Sequence, residues 1–392
     1  MHFVLVGPSA PLRGGIAIAN DALARALGQA GHIVDQLSFR RLYPSLLFPG
    51  RSQVDERQRN SGPFPARQCL DSVNPLTWWT TARMIKEMSP HTVAVQWWHP
   101  FFTPSYAVLL VYLKRHCPTV RRVLISHNTR PHESVPGQDA ALRLIARLCN
   151  RIIVHARSEY DLTRKIAPQV TVQIVTYPML ATGRALPPRT EAQQRLGVSG
   201  RVLLFFGYVR HYKGLDTLLR ALARVPADLG VSLLIAGEFY ESEQQYRGLI
   251  ETLGITNRVR IHNRYISETE WPDLFAASDA LILPYRAASQ SMSITLAYEF
   301  GKPVIVSRVG GLADAVVGGR TGLIAEPEPA ALAATIERFY TELPTTDYRA
   351  TIKAHCQQLG WNPFIQALEG NEDKPCSLLR IDGRDTPRKL SL

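Results

Sequence analysis

Two basic residues, Arg210 and Lys213, occupy a position in this 392-residue sequence that suggests phosphate chemistry. Their loop, residues 207–214, follows an apolar run at 203–206 and precedes a helical pattern of leucines. A guanidinium binds phosphate oxygens through two parallel hydrogen bonds, and a lysine adds a compact charge. Together they could neutralise a diphosphate leaving group. Both could also be solvated surface charges, and we expect Lys213 to face solvent when no ligand is bound.

A second loop, residues 284–293, precedes a helix whose two ends are clearly marked. Ser289 or Ser291 can cap its N-terminus, and Gly301 is placed to end it. Hydroxyls and free backbone amides at a helix start suit an anion such as diphosphate. Plain capping of the helix is the alternative. The residues that we expect to contact a bound nucleotide are Gln290, Ser291, Met292 and Ser293.

The first half opens with an apolar run, a glycine loop and a helical pattern. Gly14 and Gly15 close this loop, where they would let the backbone approach a phosphate or sugar at the start of a helix. The loop lacks the Gly-x-Gly-x-x-Gly fingerprint, and no Gly-x4-Gly-Lys-Ser/Thr segment occurs. The sequence therefore argues against a nicotinamide-dependent dehydrogenase and against a P-loop hydrolase. A glycine turn without a ligand remains an alternative.

His127 follows another apolar run, at 122–125, within a polar stretch that continues to Glu133. An imidazole there could hydrogen-bond a sugar hydroxyl or stabilise charge at an anomeric centre, although a lone histidine is often structural. Four aromatic residues follow the run before it. They could stack on sugars or bury lipid chains, and a satellite core cluster explains them equally well. These residues are Trp97, Trp98, Phe101 and Phe102.

The elements that must position these loops alternate regularly. Runs rich in Val, Ile and Leu alternate with helical patterns, which is typical of doubly wound parallel sheets in an α/β protein. Such sheets bind ligands beyond the carboxyl ends of their strands, where all these loops lie. A Pro-Pro pair in 181–200 predicts a linker between domains at 1–180 and 201–369, and 370–392 is predicted to be a disordered tail. The predicted strands are 3–6, 33–37, 92–96, 122–125, 152–154, 172–175, 202–206, 232–236, 259–261, 280–283, 304–306 and 322–325.

The amino-acid composition indicates which kinds of partner the protein binds and in which cellular compartment it works. The 45 Lys and Arg against 33 Asp and Glu give a net charge of +12, which favours an anionic partner. No basic run is interleaved with aromatics, which argues against nucleic acid. Five scattered cysteines without a Cys-x-x-Cys pair argue against disulfides and a zinc site and favour a reduced cytosol. The longest apolar stretch, 107–113, is too short to span a bilayer, so we expect a cytoplasmic protein with at most peripheral contact at the inner membrane face.

Several short motifs, in this order, resemble the retaining glycosyltransferases with two Rossmann domains, known as family 4 or group 1. The resemblance covers nearly the whole chain. It implies a GT-B fold of two facing Rossmann-like domains, with the acceptor in the N-terminal half and the nucleotide sugar in the C-terminal half. It also implies hexose transfer with retention and no required metal. The motifs are 14–15, 127–128, 131–133, 153–155, 158–159, 206–210, 213–216, 236–238, 301–305, 310–311 and 321–323.

The resemblance also assigns roles within the site. The basic pair, Lys213 and Arg210, would meet the diphosphate of a UDP- or GDP-linked donor, and His127 would meet the donor sugar. These three form the predicted catalytic set. The residues expected to bind the donor are Gly14, Gly15, Glu238, Gln290, Ser291, Met292 and Ser293. The expected acceptor is a glycan or a lipid-linked group, and contact with an anionic membrane is expected to be peripheral.

The sequence departs from the family pattern at two places. Many members carry two glutamates eight positions apart, and Ala288 and Leu296 occupy those positions here, with Glu299 nearby but off register. A branch with Ser-Gln-Ser in this stretch suggests a variant site rather than an inactive one. Tyr208 stands where an arginine often follows the glycine, so Arg210 is assigned by proximity. A catalytically degenerate glycosyltransferase-like binding protein and a two-Rossmann nucleotide-sugar epimerase stay open as alternatives.

Overall fold

The computed structural model describes residues 1–48, 50–56, 65–131 and 133–370. Its strands are β1 (His2–Val6), β2 (Ile33–Arg41), β3 (Arg67–Asp71), β4 (Thr92–Trp97), β5 (Arg121–Ser126), β6 (Arg151–Val154), β7 (Thr171–Ile174), β8 (Arg201–Phe206), β9 (Val231–Ala236), β10 (Val259–His262), β11 (Ala280–Leu283), β12 (Val304–Ser307) and β13 (Gly322–Ala325). Its α-helices are α1 (Gly15–Gln29), α2 (Pro75–Met88), α3 (Thr103–His116), α4 (Gln138–Ala146), α5 (Arg157–Ile166), α6 (Arg189–Leu196), α7 (Leu215–Leu222), α8 (Glu243–Thr252), α9 (Trp271–Ala277), α10 (Met292–Glu299), α11 (Pro329–Glu342), α12 (Tyr348–Cys356) and α13 (Asn362–Glu369).

The strands form two parallel sheets. The first has the order β3-β2-β1-β4-β5-β6-β7 and the second the order β10-β9-β8-β11-β12-β13. Helices cover both faces of such sheets, which is why the central strands read as continuous apolar runs rather than as alternating patterns. The predicted class, two Rossmann-like doubly wound domains, is confirmed. None of the helices in the described ranges combines the length and the apolar content needed to cross a bilayer.

Each of the twelve predicted strands overlaps an observed one, and β3 is the strand that the sequence pattern missed. It lies at the edge of the first sheet, paired only with β2. Its first two residues, Arg67 and Gln68, are exposed, and Leu70 is its one fully buried apolar side chain. An edge strand with so few apolar residues gives no run for the pattern to detect.

Two segments between and after the domains differ from the predicted boundaries. The segment 181–200, predicted as a linker, contains α6, whose Ala192 packs against Ala276 and Ala277 of α9. Helix α13, assigned by sequence to the C-terminal domain, instead covers the first sheet. Its buried residues are Phe364, Ile365, Ala367 and Leu368, which share one apolar cluster with side chains of β1, β4, β5 and β6. An amphipathic helix shows that it has a buried face but not which sheet it will cover.

Both sheets reverse their strand order beside their first strand, between β1 and β4 and between β8 and β11. At such switch points adjacent loops leave in opposite directions and open a crevice at the carboxyl edge. The loops after β1, β8 and β11, which the sequence singled out, lie at these two crevices. The topology therefore places the candidate residues of both domains where ligands bind in open parallel sheets.

Removing the buried ring of α13 should destabilise the N-terminal domain. Phe364 is 3% exposed, so Phe364→Ala is expected to lower the free energy of unfolding by about 3 kcal/mol, as buried Phe→Ala changes do. Gln366→Ala, at an exposed position of the same helix, is the matched control. Denaturant unfolding followed by tryptophan fluorescence measures both. Equal, small effects of the two substitutions would show that α13 does not stabilise the N-terminal sheet.

Candidate active site

A cavity of about 290 Å³ lies between the domains where the two switch points meet. Ligand pockets commonly enclose ~300–1,000 Å³, so this cavity is close to the lower end of that range. The loops after β1 and β5 line it from the N-terminal domain, and the loops after β8, β9 and β11 from the C-terminal domain. The predicted residues that line the cavity are Gly14, Gly15, His127, Lys213, Glu238, Gln290, Ser291, Met292 and Ser293.

The starts of two helices, α1 and α10, face each other across the cavity. Gly14 has φ 118°, a conformation that favours glycine, and it precedes α1 without a side-chain cap. A β-carbon on Gly15 would lie 3.7 Å from the sulfur of Met292, in the first turn of α10. Ser291 occupies the N-cap position of α10, but its side chain bonds to Tyr285 and does not cap. Both starts therefore present amides without side-chain caps, an arrangement suited to an anion.

Lys213 lines the cavity from the loop after β8. Gly214, with φ 65°, lets this loop pack closely, since a β-carbon there would meet the Pro284 carbonyl oxygen at 2.1 Å. The Lys213 ammonium lies 5.3 Å from the centroid of the Tyr285 ring. The side chain is half-buried, so the expectation that it faces solvent is wrong, because Gly207 and Tyr285 of its own domain lie against the ammonium.

The electrostatic surroundings of Lys213 leave its charge poorly compensated. Among the described residues, no carboxylate lies within ion-pair distance of its ammonium. Burial lowers the pKa of Lys213, and the positive charge of Arg210 lowers it further, although Tyr212 opposes both effects. An ammonium held in this way gains most when an anion arrives beside it.

Arg210 does not line the cavity with Lys213. Its Nη2 lies 3.0 Å from Oε1 of Glu133, which belongs to the loop after β5 in the other domain. Its guanidinium also lies 5.9 Å from the centroid of the Tyr240 ring. A carboxylate across the cleft thus holds Arg210 in this structure, and its predicted contact with a diphosphate beside Lys213 stays a prediction.

Glu238 lines the cavity, but its carboxylate already has partners. It is 2% exposed, and one of its oxygens accepts a 2.5 Å hydrogen bond from the backbone N–H of Arg51. The other oxygen lies 3.9 Å from Nη1 of Arg13, whose guanidinium covers the Tyr265 ring at 4.4 Å. Glu238 thus holds the N-terminal domain against the C-terminal domain in this structure, and its predicted contact with the donor stays a prediction.

His127 is 6% exposed and both of its ring nitrogens are engaged. Nε2 lies 2.7 Å from Oε1 of Gln96, and Nδ1 is hydrogen-bonded to the hydroxyl of Tyr177. Burial, together with the neighbouring His155, holds the pKa of His127 well below its usual value. The imidazole is therefore neutral near pH 7 and is not a general acid in this arrangement.

The four aromatic residues at the end of β4 and directly after it are mainly part of the core. Trp97 and Phe102 are 1% and 0% exposed, respectively. Trp98 and Phe101 are half-buried, and the Trp98 ring N–H donates a 2.9 Å hydrogen bond to the Tyr43 hydroxyl. Of the two interpretations offered by the sequence, the satellite core cluster is the one that the structure shows.

Part of the cavity wall is apolar, and it includes the two positions at which many members of the family resembled carry glutamates. Leu296 lines it with Phe206, Ile266 and Trp271, and Ala288 is buried in the wall beside them. Oε1 of Glu299 instead accepts a hydrogen bond from the N–H of Thr182, and Glu299 is not among the lining residues. Among the described residues, Glu238 is the one carboxylate of the wall.

Sequence reasoning missed two tyrosines of the wall, Tyr177 and Tyr265. Each follows the carboxyl end of a strand, β7 and β10 respectively. The rule that located the other loops would have found both, had it been applied to every strand. His132, which contributed to the family resemblance, and the tail at 371–392 lie outside the described residues.

Comparison with known proteins agrees with this geometry. Residues 200–342 match the family model described as Glycosyl transferases group 1. This match lies within the C-terminal domain. D-inositol 3-phosphate glycosyltransferase of Arthrobacter sp. (strain FB24) is 26% identical over 271 residues, which cover 65% of this chain and 62% of that protein. The match thus spans less than two thirds of that relative's length.

Solved structures extend the likeness to the fold of both domains. Sucrose-phosphate synthase from Thermosynechococcus elongatus superposes with a TM-score of 0.73 at 18% identity, covering 94% of this chain and 97% of that one. HepE of Anabaena, solved with UDP and glucose, gives 0.69 at 18% identity and covers 94% and 99%. The resemblance to group 1 glycosyltransferases and the GT-B fold inferred from the sequence are confirmed.

The lowered pKa of Lys213 predicts how nucleotide binding depends on alkaline pH. The protonated ammonium attracts an anion, so affinity for UDP or GDP should fall as pH rises through the pKa of Lys213 in the free protein. That decline should start below pH ~10.4, the ordinary lysine value. Lys213→Arg keeps its charge throughout and should bind without the decline. Titration calorimetry from pH 7 to 10 measures both, and parallel curves would contradict the prediction.

Proposed function

We propose that the protein transfers a hexosyl group from a nucleoside-diphosphate sugar to a glycan or lipid-linked acceptor, with retention of configuration. The observation that carries the proposal is the convergence of Lys213 with the starts of α1 and α10 on one interdomain cavity. An ammonium and free amides together favour a diphosphate at that place. Retention and hexose as the transferred group rest on the family resemblance.

Lys213 would act on the leaving group. When the glycosidic C–O bond breaks, negative charge develops on the departing nucleoside diphosphate. A half-buried ammonium already in place stabilises this charge without reorganisation, and only contacts that strengthen in the transition state accelerate the reaction. Arg210 could join it, since exposed pairs such as Arg210–Glu133 contribute only ~0–1 kcal/mol and a diphosphate can compete for the guanidinium.

The cavity and the relatives support the donor and acceptor classes that we propose. Phe206, Ile266, Trp271 and Leu296 offer apolar and aromatic surface to a nucleoside, and UDP or GDP are the carriers that we propose. UDP is the first to test because HepE is described in complex with it. Inositol 3-phosphate, named for the Arthrobacter relative, is the first soluble acceptor to test.

We further propose that the N-terminal domain contacts an anionic membrane on its cytoplasmic side, where a lipid-linked acceptor would lie. The aromatics after β4 do not support this contact, because two of them are core residues. Helix α2 does: Leu76 is 76% exposed and Trp79 48% exposed on its outer face. The Arg83 guanidinium lies 4.8 Å from the Trp79 ring on that face. Apolar, aromatic and basic side chains together suit a bilayer interface.

A binding protein without turnover is the second candidate, and specific observations favour it. The ring nitrogens of His127 are both engaged, and Leu296 stands where many relatives carry a glutamate. Such a protein would bind a nucleotide sugar without releasing nucleoside diphosphate. Calorimetry and a coupled assay for nucleoside diphosphate, run with the same donor panel and acceptors, separate the two.

Lys213→Ala should abolish or nearly abolish transfer while the protein stays folded. A hydrogen bond to a charged group contributes about 1.5–3 kcal/mol, which corresponds to roughly tenfold to a few hundredfold in rate. The covered site should increase the loss, Lys213→Arg should recover part of it, and Arg210→Ala should cost less. Removing an uncompensated ammonium should leave the melting temperature unchanged or slightly higher.

Lys165→Ala, at an exposed position of α5, is the matched control for this variant. Steady-state release of nucleoside diphosphate and circular dichroism melting are the measurements. Unchanged catalytic efficiency in a folded Lys213→Ala protein would refute both the assignment and the diphosphate-binding role of the loop.

Activity should survive chelation. Among the described residues, no three His, Cys, Asp or Glu side chains are grouped as metal ligands. Charge neutralisation at the diphosphate would therefore come from Lys213 and the two helix starts. Assays with and without EDTA measure this dependence. Complete loss with EDTA and recovery with manganese would show that a metal is required.

Vesicle binding should depend on α2. Sedimentation with vesicles rich in anionic lipid at low salt should retain the wild type, and the double variant Leu76→Ser/Trp79→Ser should sediment several-fold less. Leu186→Ser, which changes a leucine 36% exposed between the domains, is the control and should bind as the wild type does. If wild type and both variants all remain in the supernatant, the proposed membrane contact is wrong.

A further inference from the structure

A buried chain of hydrogen bonds runs from the loop after β1 to the wall of the cavity. Nδ2 of Asn20 donates to the Pro8 carbonyl at 3.1 Å, and Nε2 of Gln96 donates to Oδ1 of Asn20 at 2.8 Å. Oε1 of Gln96 lies 2.7 Å from Nε2 of His127, whose Nδ1 bonds to the Tyr177 hydroxyl. The four side chains are 0–8% exposed, and only His127 and Tyr177 line the cavity.

The donor and acceptor roles along this series of hydrogen bonds are set by its first link, between Asn20 and Pro8. The Pro8 carbonyl can only accept, so the Asn20 amide must present its N–H₂ there and its oxygen to Gln96. Gln96 must then donate to Asn20 and present its own oxygen to His127. Nε2 of His127 consequently carries the proton, Nδ1 is bare, and the Tyr177 hydroxyl donates to it. Reversing any link would place two acceptors or two donors face to face.

A second proton on His127 is disfavoured by its neighbours. Nδ1 of His155 donates to the Val175 carbonyl at 2.8 Å, and the two imidazole rings lie 5.5 Å apart. Burial lowers the pKa of His155 to about 4, and burial with His155 nearby lowers the pKa of His127. Both rings therefore stay neutral near pH 7, and the tautomer of His127 is a property of the chain of hydrogen bonds.

Gly7 fixes the position of Gln96 in this chain. A β-carbon at Gly7 would lie 2.4 Å from Cγ of Gln96, so only glycine leaves room for the glutamine at this point. The first residue after β1 is thereby coupled to the imidazole at the end of β5. The glycine loop therefore affects the site in two ways: it leaves space for Gln96, which contacts His127, and it presents backbone amides at the start of α1.

We propose that Asn20 and Gln96 are positioning residues that hold His127 as the neutral Nε2–H tautomer, so that Nδ1 accepts a hydrogen bond from a substrate hydroxyl in exchange for that of Tyr177. The hydrogen bond from a substrate hydroxyl rests on the proposed function, whereas the assignment of the Nε2–H tautomer is independent of it. His127 then recognises the sugar by accepting a hydrogen bond from one of its hydroxyls, and it transfers no proton. A histidine with the opposite tautomer would present N–H at the same place, and the substrate hydroxyl would then have to accept the hydrogen bond.

Long-range ¹H–¹⁵N correlation spectra of histidine-labelled protein read the tautomer directly. His127→Gln assigns the resonance. We expect a protonated Nε2 and a bare Nδ1 in the ligand-free wild type. Gln96→Met removes the acceptor of the Nε2 proton and should shift the ring towards the Nδ1–H form. It should also raise the KM for the donor about threefold to tenfold, the usual loss for one hydrogen bond.

Gln36→Met is the matched control. Gln36 is also a buried glutamine, at 2% exposure. It donates to Asp21 and to the Ser9 hydroxyl, which also accepts from Asn20, but it contacts neither Gln96 nor His127. Its substitution should leave the tautomer and the KM as in the wild type. A wild-type tautomer in Gln96→Met, or an equal change in Gln36→Met, would overturn the positioning role.

The substrate role has its own readout in the same spectra. A nucleotide sugar that binds should move the Nδ1 resonance of His127 in the wild type and in the Gln36→Met control. Binding without any change at Nδ1 would overturn the exchange with Tyr177. Failure of every nucleotide sugar to bind would instead contradict the proposed function. The tautomer of His127 is measured without ligand, so that result would be judged independently.

Discussion

Backbone amides at the starts of α1 and α10 face one cavity from opposite domains, and the rest of the site depends on that arrangement. Two parallel sheets bring their switch points together there, so helix starts from both sheets converge. Each helix start contributes a partial positive charge. Lys213 adds a full positive charge, and burial lowers the pKa of its ammonium group. The site holds unfavourable charge until an anion arrives. This is the physical reason for placing a diphosphate there.

The same cleft is held by contacts that do not involve a ligand. Glu238 accepts a hydrogen bond from the Arg51 backbone, and Arg210 pairs with Glu133 across the domains. The Ser289 hydroxyl also donates to Oδ1 of Asn128 on the facing loop. The exposed ion pair contributes little free energy, whereas the 2%-exposed Glu238 carboxylate would lose more on opening. We infer that Glu238 is the stronger of these links between the domains.

Much of this site could be predicted from the sequence because it depends on local order along the chain. A strand followed by a glycine or serine loop and a helix places that loop at a carboxyl edge, which located Gly14, Lys213 and Ser291. The partners of Arg210 and Glu238 could not be predicted in this way. Both are held by residues of the other domain, and no pattern in the sequence states which surfaces will face each other. The docking of α13 on the first sheet was missed for the same reason.

The central claim is that a nucleotide's diphosphate lies between Lys213 and the two helix starts. A crystal structure of the protein with UDP or GDP tests it most directly. We predict phosphate oxygens within hydrogen-bonding distance of the Lys213 ammonium and of the amides that open α10, with the base towards Trp271 and Leu296. A nucleotide bound elsewhere, or bound in the cavity with its diphosphate turned away from Lys213, would contradict the account.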